Sequence, residues 1–335
     1  MARPKVLLAM APMFTLELFA EEHFERLQQT CELLDRERFT DLSGGRGAEL
    51  LAETEMLLSS WGCPVLDDAV LAKAPALRAN VHAAGTIKMH VTDACWERGL
   101  QISSAAAANA VPVAEYTLAA ILFANKAAFA IQRRYQQERG WVWWAGAHPR
   151  LGNYRKVIGI VGASFVGRKV IELLRPFDFT ILVYDPYLTP ASAAELGVEP
   201  VELDELLRRS DVLTLHAPAL AETFAMIDRE RLALMPDGAT LINTARGWLV
   251  DAAALEAELV SGRLYAVIDT TEPEILAADS PLYDLPNVFL TPHIAGAMGS
   301  ETQRMATLAI EEIERYVRGE PLRYQVRRED LARIA

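Results

Sequence analysis

The feature that most constrains this 335-residue chain is one segment near its middle. Val157-Ile158-Gly159-Ile160-Val161 is an unbroken apolar run of strand length, which reads as a strand buried on both faces of a parallel sheet. It leads directly into Gly162-Ala163-Ser164-Phe165-Val166-Gly167, and residues 168–174 continue with a helical pattern. Strand, glycine-rich turn and helix in that order are the context of a dinucleotide-binding fold. Gly162 permits the tight turn, and Gly167 lets the helix sit close to the strand. The amides near Phe165 and Val166 would then face a pyrophosphate at the positive end of the helix. The middle position is Ser164 where the pattern has glycine. Its Cβ takes space on the pyrophosphate side, and its hydroxyl offers a hydrogen bond in exchange.

The following strand, Thr180–Tyr184, is apolar and β-branched and ends at Asp185, 18 residues after Gly167. An acid at that strand end can accept both hydroxyls of an adenosine ribose and would repel a 2′-phosphate. Pro186-Tyr187-Leu188 supplies no Arg or Lys for such a phosphate, so NAD is expected rather than NADP. The competing reading makes Asp185 the start of a turn before Pro186.

Strand candidates at 5–10, 56–60, 80–84 and 100–103 alternate with helical patterns at 16–31 and 65–72. This alternation predicts an α/β fold of parallel sheets covered by helices. An apolar helix is expected over 113–130, followed by a Trp141, Trp143 and Trp144 cluster, and a final helix over 300–317 is stopped by Gly319 and Pro321. The net charge of −12 argues against an extended nucleic-acid or anionic-membrane surface. Cys31, Cys63 and Cys95 form no metal or disulfide pattern, so no metal is expected. The apolar start is interrupted by Pro12 and Glu17, and no run approaches the ~18 apolar residues of a membrane span. A soluble, cytoplasmic protein is expected.

Three ionisable groups follow later strand candidates. Leu241-Ile242-Asn243-Thr244-Ala245 leads to Arg246, Ala266-Val267-Ile268 leads to Asp269 with Glu272 and Glu274 beyond, and Val288-Phe289-Leu290 leads through Thr291-Pro292 to His293. Ligands of parallel sheets bind outside the carboxyl ends of the strands, so all three can converge there.

With Gly162–Gly167, Tyr184-Asp185-Pro186, His216-Ala217-Pro218, Asn243-Thr244-Ala245-Arg246-Gly247 and Thr291-Pro292-His293-Ile294-Ala295-Gly296, these segments resemble the D-isomer-specific 2-hydroxyacid dehydrogenase family. The resemblance implies two flavodoxin-like, Rossmann-type lobes: a substrate domain of residues 1–108 and 297–335, and an inserted NAD-binding domain of residues 109–296. It implies that Arg246 clamps a substrate carboxylate and that His293 exchanges a proton with the substrate oxygen. Glu274 would hold the imidazole and favour its protonated form, with Glu272 as runner-up. The same resemblance puts Gly162, Ser164, Phe165, Val166, Gly167, Asp185, His216, Ala217, Pro218, Thr244, Ala245, Arg246, Asp269, His293 and Ala295 at the cofactor. Asp269 is expected at the nicotinamide amide and His216 on the nicotinamide side.

In the family, a first-lobe loop offers backbone N–H groups to the substrate carboxylate, which corresponds here to Ala84, Gly85 and Thr86. Lys88 and His90 follow where an acid is usual. Either they are solvated loop groups or they favour a larger or more anionic 2-oxo acid. Asn109 is a plausible N-cap and Glu115 a first-turn acid of the helix that follows. The expected activity is NAD-dependent interconversion of a 2-oxo acid and a D-2-hydroxy acid, by a homodimer joined through residues 113–144. The alternatives are a non-enzymatic NAD(H)-sensing regulator and a formate- or phosphite-type dehydrogenase on the same scaffold.

Overall fold

The structure is a computed structural model that describes residues 3–143 and 150–334. Trp144 lies outside the described residues. The chain divides into two compact units, Met1–Asn109 with Ala297–Ala335, and Ala110–Gly296.

The first unit holds β1 (Lys5–Ala9), β2 (Glu32–Leu33), β3 (Met56–Ser59), β4 (Ala79–His82) and β5 (Gln101–Ser104). All pair in parallel in the order β2-β1-β3-β4-β5. Because the central strands are buried on both faces, they read as continuous apolar runs rather than alternating ones. Val6, Leu8, Met56, Leu58 and Val81 pack one face, and Leu7, Leu57 and Ile102 the other.

The second unit holds β6 (Val157–Val161), β7 (Thr180–Tyr184), β8 (Glu199–Pro200), β9 (Val212–Leu215), β10 (Thr240–Asn243), β11 (Tyr265–Ile268) and β12 (Val288–Leu290). They form a parallel sheet in the order β12-β11-β10-β9-β6-β7-β8. From β6 the chain builds outward through β7 and β8, then returns to β9 on the opposite side and builds outward again. This reversal opens a crevice beyond the carboxyl ends of β6 and β9, where such sheets bind ligands.

Several helix boundaries differ from the sequence expectation. The helix expected over 16–31 is Glu21–Thr30, because Pro12–Phe14 forms a 3-10 turn and Leu16 is left exposed. The helix over 65–72 shortens to Asp68–Ala72, capped by the Asp67 carboxylate accepting from Val70 N at 2.9 Å. The apolar helix over 113–130 is two helices, Ala106–Asn125 and Ala128–Glu138, separated by Ala127 at φ 47°. Asn109 therefore lies inside a helix rather than capping one, and its Oδ1 accepts from Ala297 N at 3.0 Å. Glu115 falls in the helix interior, beyond the first turn. The final helix begins at Gln303, after a 3-10 turn over Gly299–Thr302.

Ala106–Asn125, interrupted by Asn109 and Glu115, is long and apolar enough by length and composition to cross a bilayer. Its Ala114, Ala120, Ile121 and Ala124 pack with Ile158, Ile160 and Val183 of the second unit's sheet, which accounts for its apolar face.

Candidate active site

At the end of β6, Gly162 has φ 96°, and a Cβ there would lie 2.8 Å from both Ala217 N and His216 C. The β6 and β9 turns thus meet backbone to backbone, which only glycine allows at this position. A Cβ on Gly167 would sit 2.0 Å from the Gly162 carbonyl oxygen, so the helix Phe165–Leu174 approaches the strand as closely as the sequence implied. Ser164 is the N-cap of that helix. Its hydroxyl donates to the His216 carbonyl at 3.0 Å and lies 3.5 Å from Gly167 N. The serine in place of the middle glycine therefore stitches the turn to β9 instead of offering its proton to a pyrophosphate.

At the end of β7, Asp185 Oδ2 accepts from Ala163 N at 2.6 Å and Oδ1 from Tyr187 N at 2.8 Å. The residue ties its own turn to the glycine loop and stays partly exposed. Each oxygen retains capacity for another donor, such as a ribose hydroxyl. His216, at the end of β9, is buried, with Nε2 3.0 Å from Thr214 Oγ1 and Nδ1 without a partner among the described residues. Burial pushes its pKa down to about 3, which keeps the ring neutral. The open glycine cradle, the ribose-competent acid and the unpartnered His216 nitrogen fit a dinucleotide at this crevice.

The next three strand ends carry the reactive groups. After β10, Asn243 Oδ1 accepts from Ala245 N at 3.1 Å and its Nδ2 donates to the Arg246 carbonyl at 2.8 Å. This Asx-type turn fixes the backbone that presents Arg246. Arg246 Nη1 donates to the Ala245 carbonyl at 2.6 Å. Burial pushes its pKa down, and nearby Glu274 partly offsets the effect. Thr244 is buried, its Oγ1 3.1 Å from Thr117 Oγ1. Gly247 lies so close to the β11 loop that a Cβ would fall 2.1 Å from Thr271 C.

After β11, Asp269 is buried and organises the β12 loop. Its Oδ1 accepts from Thr291 Oγ1 at 2.7 Å and from Ile294 N at 2.8 Å, and Oδ2 accepts from Ala295 N at 2.9 Å. Its carbonyl accepts from His293 N at 2.8 Å. These four bonds hold His293 at φ 56°, a left-handed conformation that a non-glycine residue adopts at a cost of order 1 kcal/mol or more. His293 Nδ1 lies 2.6 Å from Glu274 Oε1, and both side chains are about half exposed, at 44% and 56%. Glu274, and not its neighbour Glu272, meets the imidazole.

In the first unit, the loop after β4 carries its two basic residues differently from either sequence expectation. His90 is buried, with Nε2 3.1 Å from Asn80 Nδ2, so it is neither a solvated group nor one facing a substrate. Burial pushes it down to about 4, removing the charge that an anionic substrate would need. Lys88 Nζ donates to the Ile334 carbonyl. The backbone N–H groups of Ala84, Gly85 and Thr86 donate to no acceptor among the described residues.

Sequence reasoning missed Asn243, Thr291, Thr117 and Tyr116, the last with its hydroxyl 2.8 Å from Thr291 Oγ1. An Asx-turn signal three residues before Arg246 was available for Asn243. The others are recognisable only once the strands are aligned.

A parallel sheet with a glycine cradle at its switch point, and an Arg, a Glu and a His on successive strand ends, defines a dinucleotide-dependent α/β protein. Residues 118–295 match the model of the D-isomer specific 2-hydroxyacid dehydrogenase NAD-binding domain. The chain belongs to that family, and its second unit is an NAD-binding domain. It is 33% identical over 258 residues to the D-3-phosphoglycerate dehydrogenase of Mycobacterium bovis, matching 76% of this chain and 48% of that protein. The chain thus spans about half the length of that relative. It is 33% identical over 278 residues to the glyoxylate reductase of Korarchaeum cryptofilum, matching 81% and 82% of the two chains. A phosphoglycerate oxidoreductase structure from Rhizobium etli superimposes with a TM-score of 0.83 at 26% identity, covering 98% of this chain and all of that one.

Proposed function

We propose that the protein is an NAD-dependent oxidoreductase that interconverts a 2-oxo acid and its D-2-hydroxy acid. The observation that carries this reading is the 2.6 Å contact between Glu274 and His293, in a domain of an NAD-binding family whose next strand end presents Arg246.

Bound NADH supplies the hydride. The planar Arg246 guanidinium binds the substrate carboxylate in two-point fashion, and its partial burial strengthens that attraction. With Nδ1 engaged by Glu274, His293 keeps Nε2 to give a proton to the ketone oxygen, or to take one from the alcohol in the reverse direction. Gly162, Ser164, Phe165, Val166 and Gly167 form the pyrophosphate turn, and Asp185 takes the adenosine ribose. His216, Ala217, Pro218, Thr244, Ala245, Asp269 and Ala295 surround the nicotinamide side. Asp269 Oδ2, with a single backbone donor, has room for the nicotinamide amide.

The test is an NADH-oxidation screen against glyoxylate, pyruvate, hydroxypyruvate and phenylpyruvate, repeated with NADPH. At least one acid is expected to turn over, with kcat/KM for NADPH lower by about tenfold or more because Asp185 opposes a 2′-phosphate. Absence of turnover with NADH on the whole panel removes the reading.

The proposal extends to a homodimer formed through residues 113–144. Phe123, Tyr135, Trp141 and Trp143 are 53%, 61%, 80% and 61% exposed on the single chain, an apolar surface suited to an interface. Light scattering at micromolar concentration is expected to give twice the 37.0 kDa chain mass. A mass of one chain refutes it.

A further inference from the structure

Pro186-Tyr187-Leu188 puts no base beside Asp185, yet the fold brings one to the same turn from the helix that follows it. Arg168 lies in the first turn of the helix Phe165–Leu174, and its Nε donates to the Ala163 carbonyl at 2.9 Å. The N–H of that same residue, Ala163, donates to Asp185 Oδ2 at 2.6 Å. One residue of the glycine turn is therefore held by a carboxylate at its N–H and by a guanidinium at its carbonyl.

The two charges are in opposite states. Arg168 is exposed, pairs with no carboxylate among the described residues, and commits only Nε to the turn. Neither of its Nη nitrogens has an acceptor among the described residues, so the outer edge of the guanidinium is available to an anion. Lys169, the next base on the helix, is already engaged by Glu172 Oε1 at 2.9 Å. Asp185, by contrast, has both oxygens occupied by backbone donors, Ala163 N and Tyr187 N, the second at 2.8 Å. Those donors draw on the negative charge by which the acid repels a phosphate. A carboxylate so engaged discriminates less sharply against a phosphate dianion, and the guanidinium across Ala163 offers that dianion a planar fork. Ser164 does not compete for it, because its hydroxyl donates to the His216 carbonyl.

We propose that Arg168 is a specificity-determining residue for the coenzyme: it binds the phosphate of a 2′-phosphorylated ribose, so that the chain accepts NADPH as a second, weaker coenzyme beside NADH. This rests on the placement of the adenosine ribose at Asp185 and does not depend on which acid is reduced. The base comes from the helix after the glycine turn, five positions beyond Ala163, so residues 186–188 carry no sign of it.

The experiment measures Kd for NADH and NADPH by nicotinamide fluorescence, without substrate, on wild type, Arg168→Ala, Arg168→Gln and Asp185→Asn. Arg168 is exposed, so its variants should fold. Wild type is expected to bind NADPH with a Kd about tenfold above that for NADH. Arg168→Ala is expected to raise the NADPH Kd about tenfold further and to leave that for NADH within about threefold. Arg168→Gln keeps a donor for the Ala163 carbonyl but no charge, and is expected to behave as Arg168→Ala. Salt gives a second readout: the NADPH Kd of wild type should rise more steeply with ionic strength than the NADH Kd, and Arg168→Ala should remove the difference. An unchanged NADPH Kd in Arg168→Ala, an equal loss for both coenzymes, or recovery of NADPH binding by Arg168→Gln overturns the proposal. So does a wild type whose NADPH Kd exceeds that for NADH by more than about 10³-fold, a result that leaves the proposed oxidoreductase standing. Asp185→Asn is expected to tighten NADPH binding. If it moves neither coenzyme, the ribose does not sit at Asp185, and the role of Arg168 falls together with that placement.

Discussion

Arg246→Ala and His293→Ala are each expected to lower kcat/KM for the 2-oxo acid by about 10³-fold or more while leaving NADH affinity nearly unchanged. Arg246 sits outside the glycine cradle, on the turn that Asn243 fixes, and among the described residues its Nη1 donates to the neighbouring Ala245 carbonyl. Its removal takes away the two-point clamp and the positive charge beside the reacting carbonyl, so both KM and kcat should suffer. Lysine should restore little, because a point charge cannot reproduce the planar fork. His293→Ala removes the proton donor and should act mainly on kcat. Because Asp269 grips the backbone of residues 293–295 through three hydrogen bonds and the Thr291 hydroxyl through a fourth, the loop should survive loss of the side chain. Glu274→Gln gives a smaller loss, since an amide can still orient the ring across the 2.6 Å contact but carries no charge. Stopped-flow NADH binding alongside steady-state kinetics on the three variants separates these roles. Near wild-type turnover in Arg246→Ala or His293→Ala removes the mechanism.

What could be read in advance from this chain was whatever is enforced over a few residues. The Gly162–Gly167 turn is such a case: a tight turn and a close helix–strand approach impose glycine locally, and the distances of 2.8 and 2.0 Å show why. Strand ends were legible for the same reason, since a buried parallel strand must be apolar and must stop where Asp185, Arg246, Asp269 or His293 intervenes. Side-chain direction was not legible. His90 follows a glycine-containing loop and looks like a surface group, yet the loop folds back and stacks it on His82. Ser164 looks like an obstacle to a pyrophosphate, and only the register of β6 against β9 shows the His216 carbonyl within its reach. Asn109 has the composition of a cap. Its partner is Ala297, 188 positions away, so no local pattern could assign it. The break at Ala127 escaped because alanine, unlike glycine or asparagine, carries no signal for the left-handed conformation that ends one helix and starts another.

The buried imidazoles make a second large effect unavoidable: stability should fall steeply as pH drops from about 6.5 toward 4. His90 is held down to about 4, His216 to about 3, and His82 well below its usual value, all by burial. In the unfolded chain each ring takes up a proton near its ordinary pKa of about 6.5. Between that pH and the depressed folded values, the unfolded state therefore binds more protons than the native one. The sign follows: the stabilisation is complete above pH 6.5 and is lost on acidification. Each ring contributes about 1.4 kcal/mol per pH unit across its window, so His90 alone accounts for about 3 kcal/mol. Set against a typical stability of about 5–15 kcal/mol, the loss from these rings is a large fraction of the total. Two of the rings lie in the first unit and one in the second, so calorimetry should show the first unit's transition moving further with pH. The slope of unfolding free energy between pH 6 and 5 should correspond to about three protons for the whole chain. A slope near zero over that interval would mean that the rings are already charged or reach solvent in the native state.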